Sequence, residues 1–292
     1  MSRPVFHTCY MKKKSTFLLI ALAMGAFASN AFSQNLYVGF NTGASFSAAS
    51  QRVASNVNET TNYTTTELKY GSFGKGFNFG GMVGYNFTKY IAAEISLSYL
   101  IGAEIKSEGA SYFIIYDNTF YYKNVSSSSA KMFRFNPSIV ISAGYEKINP
   151  YAKIGFIAGI GSINTEVKTS FYGGAIDQDN YDQNMKSDGG MAFGFSSSLG
   201  VKYALANKIS LFGELALINM SYAPTKGKLT KYNKNGADLL AETETYEKEF
   251  KFVDRTIVDK GGERNHSEPT ESLKATYPLN SVGLNIGLVI NL

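Results

Sequence analysis

Cysteine and histidine, on which most metal sites and many nucleophilic mechanisms depend, are almost absent. Among 292 residues there is one cysteine, Cys9, with two histidines, six prolines and no tryptophan. A lone thiol forms no internal disulfide and cannot build a cysteine-ligated metal centre. His7 lies in the N-terminal stretch read as leader, and one remaining histidine, His266, without cysteine does not supply a zinc site. His266 stands beside Ser267 and Glu268, but sequence neighbours in a long loop lack the fixed geometry that nucleophile, base and orienting group require. We therefore expect no catalytic residue, no metal, no cofactor and no enzymatic activity; a lipid-modifying barrel enzyme is the distant alternative.

Long apolar runs are missing too. The longest, residues 17–28, has twelve residues, short of the ~20 that a membrane-spanning helix needs. It follows Met11-Lys12-Lys13-Lys14 and precedes Ala31-Phe32-Ser33, giving the basic, apolar and small-residue parts of a secretory signal. Residues 1–33 are read as leader and signal peptide, with translation starting at Met11, and residues 34–292 as the exported domain. Cleavage would remove Cys9 and four bases but no acid, leaving 24 Lys+Arg against 23 Asp+Glu. The basic pI thus belongs to the export signal, and nucleic acid is not an expected partner.

Glycine, tyrosine and phenylalanine are abundant instead, at 28, 20 and 21 residues, which suits an all-β chain. Eight segments alternate apolar and small or polar residues with a period of two: 36–46, 77–87, 91–101, 132–145, 151–162, 191–203, 209–219 and 281–292. Such alternation marks strands with one apolar face. The last places Val282, Leu284, Ile286, Leu288, Ile290 and Leu292 on one side. Connections between segments alternate long and short, and each segment is close to the ~9–11 residues of a tilted membrane-spanning strand. This predicts an eight-stranded antiparallel up-and-down β-barrel with long loops at one rim and short turns at the other.

Periodicity alone does not distinguish a soluble barrel with an apolar interior from a membrane barrel with an apolar exterior. Charge does. The eight segments hold only Glu94, Arg134, Lys153, Lys202 and Glu214 as ionisable Asp, Glu, Lys or Arg, and all five share the face of the Gly, Ser and Asn residues. A water-facing strand surface carries many charges, whereas lipid at mid-depth penalises Arg or Lys by about 2–4 kcal/mol. The apolar face is thus assigned to lipid and the charged face to the lumen. Tyr85, Phe87, Tyr90, Tyr145, Tyr151 and Tyr203 gather near the short turns, as an interfacial aromatic girdle would.

The stretch Pro150-Tyr-Ala-Lys-Ile-Gly-Phe-Ile-Ala-Gly-Ile-Gly161, the strand Ile91-Ala-Ala-Glu-Ile-Ser-Leu-Ser-Tyr99 and the run from Gly200 to Leu215 with Glu214 resemble the small bacterial outer-membrane β-barrels related to OmpA and OmpX. The resemblance implies an outer-membrane location in contact with lipid and lipopolysaccharide. It also implies periplasmic short turns, extracellular long loops and a last strand read by the outer-membrane assembly machinery.

Two function classes remain open. Long extracellular loops suit a structural or surface-binding, adhesive role toward an extracellular ligand or host surface. The five lumen charges form either a static polar core, since an eight-stranded interior is just wide enough to be filled by side chains, or a gate in a narrow porin-like channel for small solutes. Interior glycines at 80, 84, 155, 159, 161, 194, 283 and 287 would leave space for water in the second case. The aromatic hairpin around Tyr112–Tyr122 is either an adhesive patch above the bilayer or, in a ten-stranded alternative, two more spanning strands.

Overall fold

The computed structural model describes residues 35–48, 51–60, 62–115, 118–173, 176–257 and 265–292; the expected leader and its cleavage site lie outside them. The eight alternating segments become β1 (Leu36–Ser47), β4 (Gly76–Asn86), β5 (Ile91–Gly102), β7 (Asn118–Ser142), β8 (Ile148–Gly173), β10 (Ala192–Ala206), β11 (Ile209–Tyr222) and β17 (Ser281–Asn291). Each pairs antiparallel with the next in that order, and β17 returns to β1. The sheet is therefore closed, with no edge at this level, which is the condition for β-structure in a bilayer. Closure is completed where the Leu292 amide donates to the Leu36 carbonyl at 2.9 Å.

The face assignment follows the charge pattern. Phe40, Phe77, Phe156 and Leu199 point outward at 65–70% exposure, whereas Glu94 and Arg134, on the opposite parity, are 2% and 3% exposed. Apolar surface costs about 25 cal/mol per Å² in water, so an outward band of this kind belongs in hydrocarbon.

Short turns at one rim are fixed by local side chains. The Thr88 hydroxyl accepts from the Tyr90 and Ile91 amides at 3.1 and 3.0 Å. Gly144, at φ 78°, donates its amide to Asn149 Oδ1 at 3.0 Å; this left-handed backbone favours glycine.

At the other rim, β7 and β8 run on to 25 and 26 residues and become the centre of a second sheet above the barrel. On one side β7 pairs with β6 (Ile105–Ile115), whose parallel neighbour β2 (Gln51–Glu59) forms a hairpin with β3 (Thr64–Gly71). On the other, β8 pairs with β9 (Ile176–Asp188), β9 with β12 (Lys226–Lys234), and β12 with β14 (Glu249–Val253), beside which β15 (Thr270–Leu273) lies parallel. The two-residue strands β13 (Ala237–Asp238) and β16 (Tyr277–Pro278) pair with β12 and β11. A four-residue helix, α1 (Thr245–Lys248), precedes β14 and carries a capping box between Glu244 and Glu247.

The ten-stranded alternative is thereby corrected. The aromatic hairpin β6–β7 pairs with β2 and with the upper half of β8, outside the closed ring. Register explains this: lower β7 is already taken by β5 from Ile141 up to Lys131, so β6 can join only from Ser128 outward.

Candidate functional site

The lumen is built in three tiers. Nearest the short turns, Lys153 on β8 reaches both carboxylates, 2.8 Å from Glu94 Oε1 and 2.9 Å from Glu214 Oε2. Each acid also accepts a tyrosine hydroxyl, Tyr37 to Glu94 at 2.9 Å and Tyr151 to Glu214 at 3.1 Å. All these groups are buried, so the lysine is the counter-charge that makes two buried carboxylates tolerable. Lys202 makes no ion pair among the described residues; its ammonium lies 4.7 Å from the Tyr37 ring and 5.2 Å from the Tyr151 ring. A cation held between two ring faces is stabilised by their quadrupoles. Around this cluster Met82, Ala92, Val140, Phe212 and Val289 complete an apolar collar.

Below it, a vestibule of about 530 Å³ opens toward the short turns, with Lys202 and Tyr37 among its lining and Lys89, Glu146 and Asn149 nearer its mouth. Above the cluster lies a polar chamber of about 60 Å³ bordered by Arg134, serines and asparagines. Above that, Leu100, Met132, Ile157, Ile163, Met220 and Tyr222 pack with Phe73 and Leu279, which come from the connections. Phe73 and Leu279 are held across the mouth by their amides, bonded to the carbonyls of Pro278 and Met220 at 2.8 and 2.9 Å. The Tyr222 hydroxyl bonds the Gly161 and Gly189 carbonyls at 2.8 and 2.9 Å.

Three sequence expectations need correction. Tyr151 does not belong to the interfacial girdle: it points into the lumen at 5% exposure, because it shares parity with Lys153 rather than with Ile154. Of the other girdle residues, Phe87, Tyr90, Tyr145 and Tyr203 are exposed and Tyr85 is half-buried. The interior glycines do not leave room for water throughout. A Cβ at Gly84 would lie 2.1 Å from the Tyr37 ring, and one at Gly287 2.7 Å from the Phe212 ring, so these positions are small to admit aromatic side chains. The lumen face is also less polar than its glycines, serines and asparagines suggest, since Leu100, Met132 and Met220 occupy it.

The remaining expected sites are placed plainly. Arg134 lies one tier above the other four charges and joins none of their ion pairs. Leu284, Ile286, Leu288, Ile290 and Leu292 face outward, with Val282 half-buried. His266 is exposed; its Nδ1 meets Glu244 at 2.5 Å and its ring lies 4.8 Å from that of Tyr246. Its partners are therefore neither Ser267 nor Glu268. Among the described residues no cluster of three His, Cys, Asp or Glu side chains could hold a metal.

A family model, outer membrane protein beta-barrel domain, matches residues 16–240. The chain belongs to that family. An outer-membrane barrel is what the lipid-facing band and closed eight-stranded ring describe, and β17, beyond the matched range, supplies the strand that closes the ring. No curated protein matches the sequence. Among solved structures, Neisserial surface protein A is similar at 9% identity and a TM-score of 0.34, covering 88% of this chain and 97% of its own. Acinetobacter baumannii CarO2 is similar at 12% identity and a TM-score of 0.27, covering 88% and 99%. At such values neither likeness bears on what this outer-membrane barrel does.

Proposed function

We propose that this barrel is a surface-binding protein whose contacts with an extracellular ligand or host surface are made by the sheet rising from its long-loop rim. The observation that carries the reading is the length of β7 and β8, each more than twice the ~9–11 residues needed to cross hydrocarbon. An ordered sheet is a costly way to build a loop unless a fixed surface is wanted, because every ordered residue loses conformational entropy. Aromatic rows run along that sheet. The rings of Tyr121 and Tyr172 stack at 4.9 Å, those of Phe120 and Phe171 at 5.7 Å, and those of Tyr181 and Tyr232 at 6.3 Å. Tyr121 and Tyr172 are both 43% exposed. Paired rings with one face covered and one face wet suit a recognition surface.

The lumen supports binding over conduction, since a buried ion-paired cluster and a buried apolar cap lie along it in succession. The test is adhesion of bacteria displaying the protein to host-cell and glycan surfaces, comparing wild type with Tyr121→Ala/Tyr172→Ala. Loss of adhesion to the level of non-displaying cells, with equal surface abundance, is expected. Undiminished adhesion of the double variant, or steady single-channel current from the purified wild type, would overturn the reading.

A further inference from the structure

The middle tier contains a charge that nothing balances. Arg134 is 3% exposed, and its Nε has no hydrogen-bond partner among the described residues. No carboxylate lies within ion-pair distance of its guanidinium there. In the tier below, Lys153 and Lys202 offset Glu94 and Glu214, so the barrel interior carries one positive charge in excess, located at Arg134. An uncompensated buried ion costs several kcal/mol even after local relaxation.

The chamber beside Arg134 has the features of a site for the missing charge. It is lined by Ser98, Asn136, Ser196 and Ser281 among other small polar residues. Ser281 borders the same chamber, and its buried hydroxyl, like Arg134 Nε, has no hydrogen-bond partner among the described residues. Glu214 borders the chamber as well, but Lys153 and Tyr151 hold its Oε2 and the Asn285 amide reaches Oε1 at 3.5 Å. Asn285, which also borders the chamber, has its Oδ1 buried without a partner among the described residues. At about 60 Å³, against the ~10–15 Å³ that one water occupies on the same measure, the chamber takes a small ion with a few waters.

We propose that the middle of this barrel binds one small monovalent anion of the halide class, held by Arg134 and Ser281. The anion neutralises the interior, and the apolar cap above and the ion-paired cluster below keep it there. It is a structural ion, exchanged when the barrel opens or folds. Larger anions such as gluconate do not fit.

The test uses the full exported chain refolded into detergent with sodium bromide or with sodium gluconate. In crystals of the bromide form, data collected at the bromine edge should show an anomalous peak in the chamber within hydrogen-bonding distance of the Arg134 guanidinium. Water-only density there, bromide confined to the outer surface, or Arg134 swung onto Glu214 would each overturn the proposal. The second measurement is equilibrium urea unfolding at constant ionic strength, with bromide replacing gluconate. Once bromide exceeds its dissociation constant, each tenfold increase should raise the folding constant about tenfold. Arg134→Met and Ser281→Ala should flatten that dependence. A wild-type folding constant indifferent to bromide would refute the proposal even if neither variant folds.

Discussion

Replacing Lys153 with Met should expose how much the lower tier depends on a single cation. The Lys153 side chain is 9% exposed and serves glutamate side chains that are 2% and 7% exposed; Met keeps most of the side-chain volume and removes the charge. Breaking a buried pair by deleting one partner costs about 3–5 kcal/mol, which corresponds to roughly two to four decades in the folding constant at ~1.4 kcal/mol per decade. Two carboxylates are stranded here, which pushes toward the upper end. Lys202, at 4.7 Å from the Tyr37 ring, is the nearest other cation and can soften the loss by swinging over. Lys153→Met/Lys202→Met should accordingly be worse than the single variant. Removing the acids with the lysine, as Lys153→Met/Glu94→Gln/Glu214→Gln, should restore most of the stability, since amide oxygens still accept from Tyr37 and Tyr151. Urea unfolding in detergent micelles, read by tyrosine fluorescence and by the heat-dependent gel shift of folded barrels, measures all four proteins. A single variant within ~1 kcal/mol of wild type, or a triple variant no more stable than the single, would refute the reasoning.

Gly84→Ala should destabilise the barrel by about 1–3 kcal/mol through overpacking against the Tyr37 ring, and Tyr37→Leu should relieve it; thermal midpoints of both and of the combination decide. Tyr222→Phe deletes the bonds to the Gly161 and Gly189 carbonyls and should cost about 1–3 kcal/mol because two buried acceptors lose a donor; faster amide exchange around the Gly189–Gly190 turn is the local signature. In the outer sheet, hydrogen bonding and ion pairing with Lys234 at 2.8 Å hold the Asp179 carboxyl below its ordinary range. A depressed acid contributes stability above its unfolded value of about 3.9, and that contribution is lost as pH falls through the lower folded value. Protease cleavage within β9 near Asp179 and at the end of β12 near Lys234 should therefore rise below about pH 4 in wild type, and Asp179→Asn should remove that dependence. On the lipid face, Leu288→Lys should cost more than Leu292→Lys, up to about 2–4 kcal/mol at mid-bilayer, measured by unfolding in liposomes.

The ring of eight strands was legible because two independent signals coincide along each of them. Alternation gives the strand, and confinement of Glu94, Arg134, Lys153, Lys202 and Glu214 to one parity gives the solvent on each side. The apolar cap was not legible, because Leu100, Met132 and Met220 sit at polar parity, where a lone large residue in a run of Gly, Ser and Asn reads as an exception. Tyr151 lies beside a short turn, which suggests the interfacial girdle, but Lys153 two residues on fixes its side by parity. The ion pairs were legible as a set of charges but not as a geometry, since strand stagger decides that Lys153 reaches both acids while Lys202 turns to the rings. The outer sheet shows in the sequence as a hairpin with aromatic residues and as the alternation around Phe250 and Phe252; its pairing of β2 with β6 depends on contacts far apart in the chain.

The lid over the barrel mouth joins the early chain to the late one: Ser72 Oγ donates to the Pro278 carbonyl across 206 positions at 3.0 Å. Loop-closure entropy makes so distant a contact a late one. The seam of the ring, from Leu36 to Leu292, is more distant still, so during assembly both the roof and the closing of the cylinder wait for the last strand. Any ion or solvent destined for the interior has that interval in which to enter, before Phe73 and Leu279 seal it in.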